Sequence, residues 1–548
     1  MRLLVIPSAK LINEELQSRY GKIVPVLIPL ENGIVLDKLY KEYESYYDEI
    51  VLTLYEEAES TLKIIKLRSY PKLRVKIITK LNDIGIGIKE VLSDYKKLDN
   101  SVRVSINFGD IYIKNISQYL DKDIVCYAKN SGIDRWAFYE KQNKNLLIKQ
   151  QKIGEQAEEE KNILIGFFNI IYTAEFYNIL SKKKLREKDT LYQTLEEYSK
   201  ISKLNYEYVN DWHDFGHLDN FLQAQKMVET RFFNEITIDK NRNILTKKSI
   251  EKEKLINEIK WFLTLPNNLQ WVTPRIYSYS LEWGEPKILM EYYSYPTLHH
   301  LYIYGNHNLE KWKQIFKKLF YVHEEMKKYN LKLEGKEITK ALNNIYLDKT
   351  IERLEKLKKD ENFLKYFKKE FYINGKKIKN LVELTDVIRK LVFDLKLNQK
   401  EELNIIHGDY FFANILYDPT ANIVKLIDPR GDFGGYGMYG DSSYDLAKLA
   451  HSVDGMYDFI VEDLFQLEEL EDGFNYRIFY SENHNKIKEL FYSYFSKEER
   501  IKIKFIQSLL FLSMIPLHKD KPKRQKVMLG VGIRILYEVI EEIGEIEI

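Results

Sequence analysis

The chain has 548 residues, 45% of them hydrophobic and 30% charged, too long for one ordinary core and rich enough in apolar side chains for two or three packed domains rather than a disordered polymer. Lys and Arg total 84 against 82 Asp and Glu, a formal net charge of +2, which argues against a nucleic-acid partner because such binders carry a basic excess. A single cysteine, Cys126, excludes an internal disulfide and suits a reducing compartment.

Arg2 is followed by only five apolar or small residues before Ser8 and Lys10, so no signal peptide is expected and a cytoplasmic protein is. Apolar runs predict strands over 3–6, 49–54, 75–79 and 102–108, and helical spacing predicts helices over 35–46 and 88–95. Alternation of this kind builds a parallel sheet covered by helices, with ligands gathering at the carboxyl ends of the strands. Gly109-Asp110 follows Asn107-Phe108 at such an end, where Asp110 is either a turn cap or a metal ligand beside a nucleotide diphosphate. Cys126 falls in a predicted buried strand, Ile124-Val125-Cys126-Tyr127, and the basic run Lys182-Lys183-Lys184 reads as a solvated face. A strand over 206–210 leads into Asp211-Trp212-His213-Asp214-Phe215-Gly216-His217, and a helix is expected over 218–228. His213 and His217 are four apart, but Gly216 interrupts any regular helix and no third soft ligand is near, so zinc is not expected.

The segment 212–221 resembles the W-x-D-x-G-T-x-x-x-Y segment near the end of sugar-nucleotidyltransferase domains. The segment 21–30 (G-K-I-V-P-V-L-I-P-L), with Gly33 and Leu36, resembles their P-K-x-L-I-P-x-x-G-x-x-x-L stretch. The resemblance implies that Asp110 and Asp214 hold magnesium while a phosphorylated substrate attacks the alpha phosphate of a second nucleoside triphosphate. Two departures stand against it. Pro7-Ser8-Ala9-Lys10-Leu11 replaces the glycine-rich G-G-x-G-T-R loop, and Pro25 stands where the catalytic lysine is expected, leaving Lys22 or Lys10 as substitutes. A transferring phosphate without an amide nest and a fixed cation loses most of its electrostatic support. The domain is therefore either an active nucleotidyltransferase or one that keeps the fold and binds a sugar or nucleotide without transfer.

Residues 229–233 are the expected seam, and with no Gly/Ser or Pro linker there the two parts are expected to pack together. A hairpin over 233–239 and 243–248, closed by 240–242, precedes a helix over 249–262. A kinase needs a lysine on an inner strand for the alpha and beta phosphates and a helix glutamate to aim it. Lys247, on the same strand face as Leu245, is the better lysine, with Lys248 its rival. Glu258, flanked by Leu255, Ile259 and Phe262, is the better glutamate, with Glu251 and Glu253 competing. Residues 286–293 read as a strand running through Glu291 into a hinge where adenine would pair with backbone. No G-x-G-x-x-G loop appears near Asp239.

Residues 404–431 read N-I-I-H-G-D-Y-F-F-A-N-I-L-Y-D-P-T-A-N-I-V-K-L-I-D-P-R-G. Two short strands, 415–417 and 423–427, flank a turn over 418–422, and folding that hairpin brings Asn414 and Asp428 together with Asp409 just before them. One carboxylate to accept a hydroxyl proton, with an amide and a second carboxylate to hold magnesium, is what phosphoryl transfer requires. This stretch resembles the catalytic loop and metal-binding segment of the aminoglycoside phosphotransferase and choline kinase family. The resemblance makes Asp409 the catalytic base, Asn414 and Asp428 the magnesium ligands, and Asp445 a structural support of the loop. Residues 431–440 form a glycine-rich loop, either beside the substrate or a plain connector. Helical-lobe segments 308–400 and 457–548 carry no substrate signature; 505–517 reads as a core helix too short to span a bilayer, and 519–526 as a solvated basic run.

The expected fold class is α/β, with a mostly parallel sheet covered by helices over 1–228 and an α+β bilobal kinase-like part over 229–548, its small lobe 229–295 and helical lobe 296–548. The expected function is ATP- and Mg2+-dependent phosphorylation of a small hydroxylated acceptor, a sugar or amino alcohol, coupled to nucleotidyl transfer. The fusion resembles proteins of capsular and surface-polysaccharide synthesis. A single-activity kinase with a non-catalytic first domain is the alternative, and neither nucleic-acid binding nor membrane insertion is expected.

Overall fold

The computed structural model describes residues 1–30, 33–80, 83–95, 98–99, 101–130, 136–142, 145–150, 161–184, 188–225 and 234–544. The chain divides into two compact units, Met1–Met227 and Val228–Ile548, and the expected seam at 229–233 lies outside the described residues.

In the first unit, Leu73–Ile77, Glu49–Leu54, Arg2–Pro7 and Arg103–Asn107 lie side by side in that order, all parallel. Strands are added outward from Arg2–Pro7 on one side before the chain crosses to the other, so the order reverses between Arg2–Pro7 and Arg103–Asn107. Such a reversal opens a crevice at the carboxyl ends of the two strands. Leu3, Leu4, Val5 and Ile6 are all buried, the continuous apolar run that a strand covered on both faces requires. The sheet does not stop at this parallel half. Lys161–Ile170 pairs antiparallel with Arg103–Asn107 and with Ala137–Gln142 and Ile124–Asn130, an extension that sequence alone does not delimit. Cys126 is buried within it. A separate two-stranded ribbon pairs Ile111–Ile113 with Trp212–Asp214, placing Ile111 opposite Asp214.

The second unit opens with a four-stranded antiparallel sheet in the order Asn234–Asp239, Ile244–Ser249, Lys287–Glu291, Ile276–Ser280. Helix Lys252–Thr264 follows its hairpin and buries Leu255, Glu258, Ile259 and Phe262. The larger lobe is mainly helical. Asn308 caps Leu309–Lys327, its side chain accepting the Lys311 N–H, and Ser496 with Glu499 forms a capping box on Lys497–Met514, each cap contributing about 1 kcal/mol. Gly335–Asn343 runs through a π-helical turn, Asn344–Asp348, into Lys349–Leu357. Such turns insert one extra residue per turn and redirect the side chains that follow.

Two sequence expectations need correction here. The apolar helix does not end short: with its 3-10 extension it spans Lys497–His518, 22 residues, long and apolar enough to cross a membrane, and 67% of its most apolar window is buried inside the fold. The run 519–526 is not wholly solvated either, since Lys526 is buried and pairs with Glu469 at 2.6 Å.

Candidate active site

The loop carrying Asp409 is held by backbone contacts at both ends. Asp445 is completely buried at the start of helix Ser442–Val453, and its carboxylate accepts the N–H groups of His407 (2.7 Å) and Gly408 (2.8 Å). Gly408 sits at φ +78°, and a Cβ there would lie 2.8 Å from the Arg430 Cβ, so only glycine admits this turn. His407 Nε2 contacts the Ile427 carbonyl at 3.0 Å, and the Arg430 N–H donates to the His407 carbonyl at 3.0 Å. These bonds bring the loop against the end of the hairpin Ile415–Asp418 and Ile423–Leu426. Asp428 follows that hairpin at φ +53°, a conformation costing a non-glycine residue about 1–3 kcal/mol and usually kept where function needs the side chain aimed.

Lys247 is buried on its strand and reaches both carboxylates that a kinase would give it: Glu258 at 2.7 and 3.0 Å and Asp428 at 2.8 Å. Burial works against its charge, but Asp428 and Glu258 together hold Lys247 well above the usual lysine range. The rivals fall away. Lys248 faces outward to Glu285 at 2.5 Å, Glu251 pairs with Lys254, and Glu253 is exposed. Gly431 fixes the helix carrying Glu258: a Cβ at this position would lie 2.2 Å from the Asn257 carbonyl oxygen.

Asp409, Asn414 and Asp428 line one cavity of about 610 Å³ together with Lys247 and Glu258. Asn414 Nδ2 donates to the Asp409 carbonyl at 3.0 Å, so Oδ1 is the atom it can offer a cation. Asp409 Oδ1 is gripped by Arg430 Nη2 (2.8 Å) and Lys448 Nζ (3.1 Å), whereas Oδ2 has only the long 3.4 Å contact from Arg430 Nε. Burial opposes ionisation of Asp409, but the charges of Arg430 and Lys448 overcome it and hold the carboxyl well below the ordinary range. Lys349 and Arg353 line the same cavity from helix Lys349–Leu357. Burial and the nearby Arg430, Arg353 and Lys448 push Lys349 down to about 7.

In the first unit the two predicted carboxylates also meet. The Phe215 N–H donates to the Asp110 carbonyl at 2.8 Å, and a Cβ on Gly216 would fall 2.2 Å from Asp110 Oδ2 and 3.3 Å from Asp214 Oδ1. Asp214 accepts the Gly216 N–H (2.7 Å) and Asn220 Nδ2 (2.8 Å), and contacts His217 Nδ1 at 2.6 Å. Burial and then the charge of Asp214 raise Asp110 to about 6, with His217 drawing it back. The amides of the loop beyond Pro7 are spent on other segments of the unit. The Ser8 N–H donates to the Thr53 carbonyl (3.2 Å), the Leu11 N–H to the Glu56 carboxylate (2.9 Å) and the Ile12 N–H to the Ile23 carbonyl (2.9 Å). Lys10 and Lys22 are both exposed.

Hard oxygen donors of this kind suit Mg2+, which takes one or two carboxylates and completes its shell from phosphate and water. Among the described residues no three His, Cys, Asp or Glu side chains gather into a self-sufficient metal cage. Glu291, expected at the nucleotide, is not among the residues lining the cavity: its carboxylate accepts from the Tyr293 hydroxyl (2.7 Å) and its N–H donates to the Arg275 carbonyl (2.8 Å). Five cations that sequence reading passed over, Lys254, Lys349, Arg353, Arg430 and Lys448, do line it. Two of these carried a signal, since Arg430 stands two residues past Asp428 and Lys448 one helical turn past Asp445.

No family model matches the chain, and no curated protein matches it. Solved structures do. HddC from Yersinia pseudotuberculosis, complexed with GMP-PN, is 14% identical across 41% of this chain and 98% of its own, with a TM-score of 0.32. The CTP:phosphocholine cytidylyltransferase LicC from Streptococcus pneumoniae is 10% identical across 42% and 99%, with a TM-score of 0.34. A protein assigned as an aminoglycoside phosphotransferase, from Ralstonia eutropha JMP134, is 12% identical across 58% and 96%, with a TM-score of 0.31.

Proposed function

We propose that the second unit is an ATP-dependent phosphotransferase acting on a small hydroxylated acceptor. The observation that carries this reading is the Lys247 ammonium held between Glu258 and Asp428 in the cavity that also contains Asp409 and Asn414. Lys247 releases Asp428 and turns to the alpha and beta phosphates, while Glu258 keeps it aimed. Asn414 and Asp428 would hold Mg2+, which when bound would supply charge neutralisation for phosphoryl transfer. Asp409 Oδ2, the less encumbered oxygen, orients the acceptor hydroxyl and receives its proton as the oxygen attacks the gamma phosphorus. A carboxylate so acidic is a weak base, which suits a loose transition state where positioning dominates. Phosphorylation of an acceptor by ATP that disappears in Asp409→Asn tests the reading; an unchanged rate sinks it.

The first unit supports a narrower role. Asp110 and Asp214 form an acid pair with no lysine or arginine against it in the contacts above, fit for a divalent ion, and the reading implied by sequence is a coupled nucleotidyl transfer feeding surface-polysaccharide synthesis. Glu56, however, occupies the Leu11 amide where a triphosphate oxygen would be cradled. We therefore favour a domain that binds a sugar or nucleotide without transferring it. Pyrophosphate release from any pairing of nucleoside triphosphate with sugar phosphate or choline phosphate would reverse this choice.

A further inference from the structure

The wall around Asp409 is unusually cationic for a site that has only to bind ATP. Lys349, Arg353, Arg430 and Lys448 come from three separate segments and line one cavity, and among the described residues Asp409 is the one carboxylate that contacts any of them. Arg430 and Lys448 share it. Lys349 has no carboxylate within ion-pair distance among the described residues, and Arg353 spends only Nη1, on the Ser513 carbonyl at 3.0 Å. The nucleotide's inner phosphates already have Lys247. Lys349 and Arg353 are spaced i, i+4 on one helix face just after the π-helical turn, so both project to the same side. The strongest charges acting on Lys349 are those of Arg430, Arg353, Lys448 and Asp409, with which it shares the cavity wall. Cations crowded together at the expense of their own solvation are a preformed anion seat, and a guanidinium beside an ammonium is suited to phosphate or carboxylate oxygens.

We infer that the phosphoryl acceptor itself carries an anionic group, a phosphate monoester or a carboxylate, seated on Lys349 and Arg353 while its hydroxyl faces Asp409. The inference rests on the kinase reading above and narrows it: an acidic or already phosphorylated sugar fits, and a cationic amino alcohol or aminoglycoside is repelled. In the step itself the acceptor oxygen forms a bond to the gamma phosphorus, the bond from that phosphorus to the ADP oxygen breaks, and the hydroxyl proton passes to Asp409 and then to water.

Titration calorimetry of the full chain with Mg2+ and the non-hydrolysable analogue AMP-PNP tests both levels. Glucose 6-phosphate or glucuronate should bind at least about tenfold tighter than glucose, with choline showing no binding. A preference between the two anions assigns the phosphate or the carboxylate. Lys349→Met and Arg353→Gln should each weaken the preferred anion about tenfold or more while leaving AMP-PNP affinity within about twofold. Removing one of several mutually repelling cations should raise the melting temperature of Lys349→Met, so lost binding would not reflect unfolding. Equal affinity for glucose and both anions, binding of choline, or weakened AMP-PNP in place of weakened anion overturns the inference and leaves the kinase standing. Absence of AMP-PNP binding in the wild-type chain removes the kinase reading along with it.

Discussion

The two units bring carboxylates together at the mouth of a sheet or hairpin, and they compensate them differently. In the first, Asp110 and Asp214 face one another with amides and a histidine for company, and burial together with mutual repulsion lifts Asp110 to about 6. In the second, every acid of the site has a cation: Glu258 and Asp428 share Lys247, and Asp409 has Arg430 and Lys448. An acid pair with only a histidine beside it is suited to a divalent ion, as proposed above. On the phosphotransferase reading proposed above, a compensated set would release its cations to a polyanion when the nucleotide binds. The same residue type thus serves two purposes, decided by what stands beside it.

The contrast can be broken most decisively at Asp409. Asp409→Asn is expected to lower the phosphotransfer rate about a hundred- to ten-thousand-fold, measured as acceptor-dependent ADP formation, while Asp214→Asn leaves that rate unchanged. Equal damage from both substitutions would erase the distinction between the units. Lys247→Met comes next: it strands Glu258 in the interior and should cost about 3–5 kcal/mol in urea unfolding. Adding Glu258→Leu to that variant should restore most of the stability and none of the activity.

Compensation in the second unit extends beyond the site, and pH exposes it. Burial disfavours charge on His299, but hydrogen bonds to Asp458 (2.7 Å) and Glu462 (3.4 Å) raise it to about 9. A folded value above the ordinary imidazole range means the stabilisation is complete below about pH 6.5, declines as pH rises, and is gone above about 9, at most about 3 kcal/mol in all. Melting temperatures of wild type and His299→Gln should converge across that window. The smallest effect belongs to the Asp110–Asp214 pair. Mg2+ at ten times its dissociation constant should stabilise the first unit by about 1.4 kcal/mol, a melting shift absent from Asp110→Asn.

Most of the second unit's site was legible because its parts are local. Asp409, Asn414 and Asp428 fall within one short stretch, and the alternation that buries Lys247 and turns Lys248 outward follows from strand period alone. What the sequence withheld needed distance. Lys349 and Arg353 line the cavity of Asp409 from a helix whose own pattern is that of an ordinary amphipathic segment, and no spacing rule connects them to it. Glu56 fills the loop after Pro7 from 45 residues beyond Leu11, so an absent glycine motif could be read while the acid that replaced its ligand could not. At Glu291 the end of a strand could be foreseen, but that its N–H is spent on the Arg275 carbonyl could not.

Gly431, with the backbone of Asn257 pressed against its missing side chain, has a consequence for control. Kinases that are switched by swinging this helix need clearance for it to rock, and here the loop following Asp428 is wedged beneath it. The Lys247–Glu258 contact is already made in this structure, with that loop packed against the backbone of its helix. On the phosphotransferase reading proposed above, output would follow the supply of the two substrates, since the contact that aims Lys247 awaits no swing of that helix.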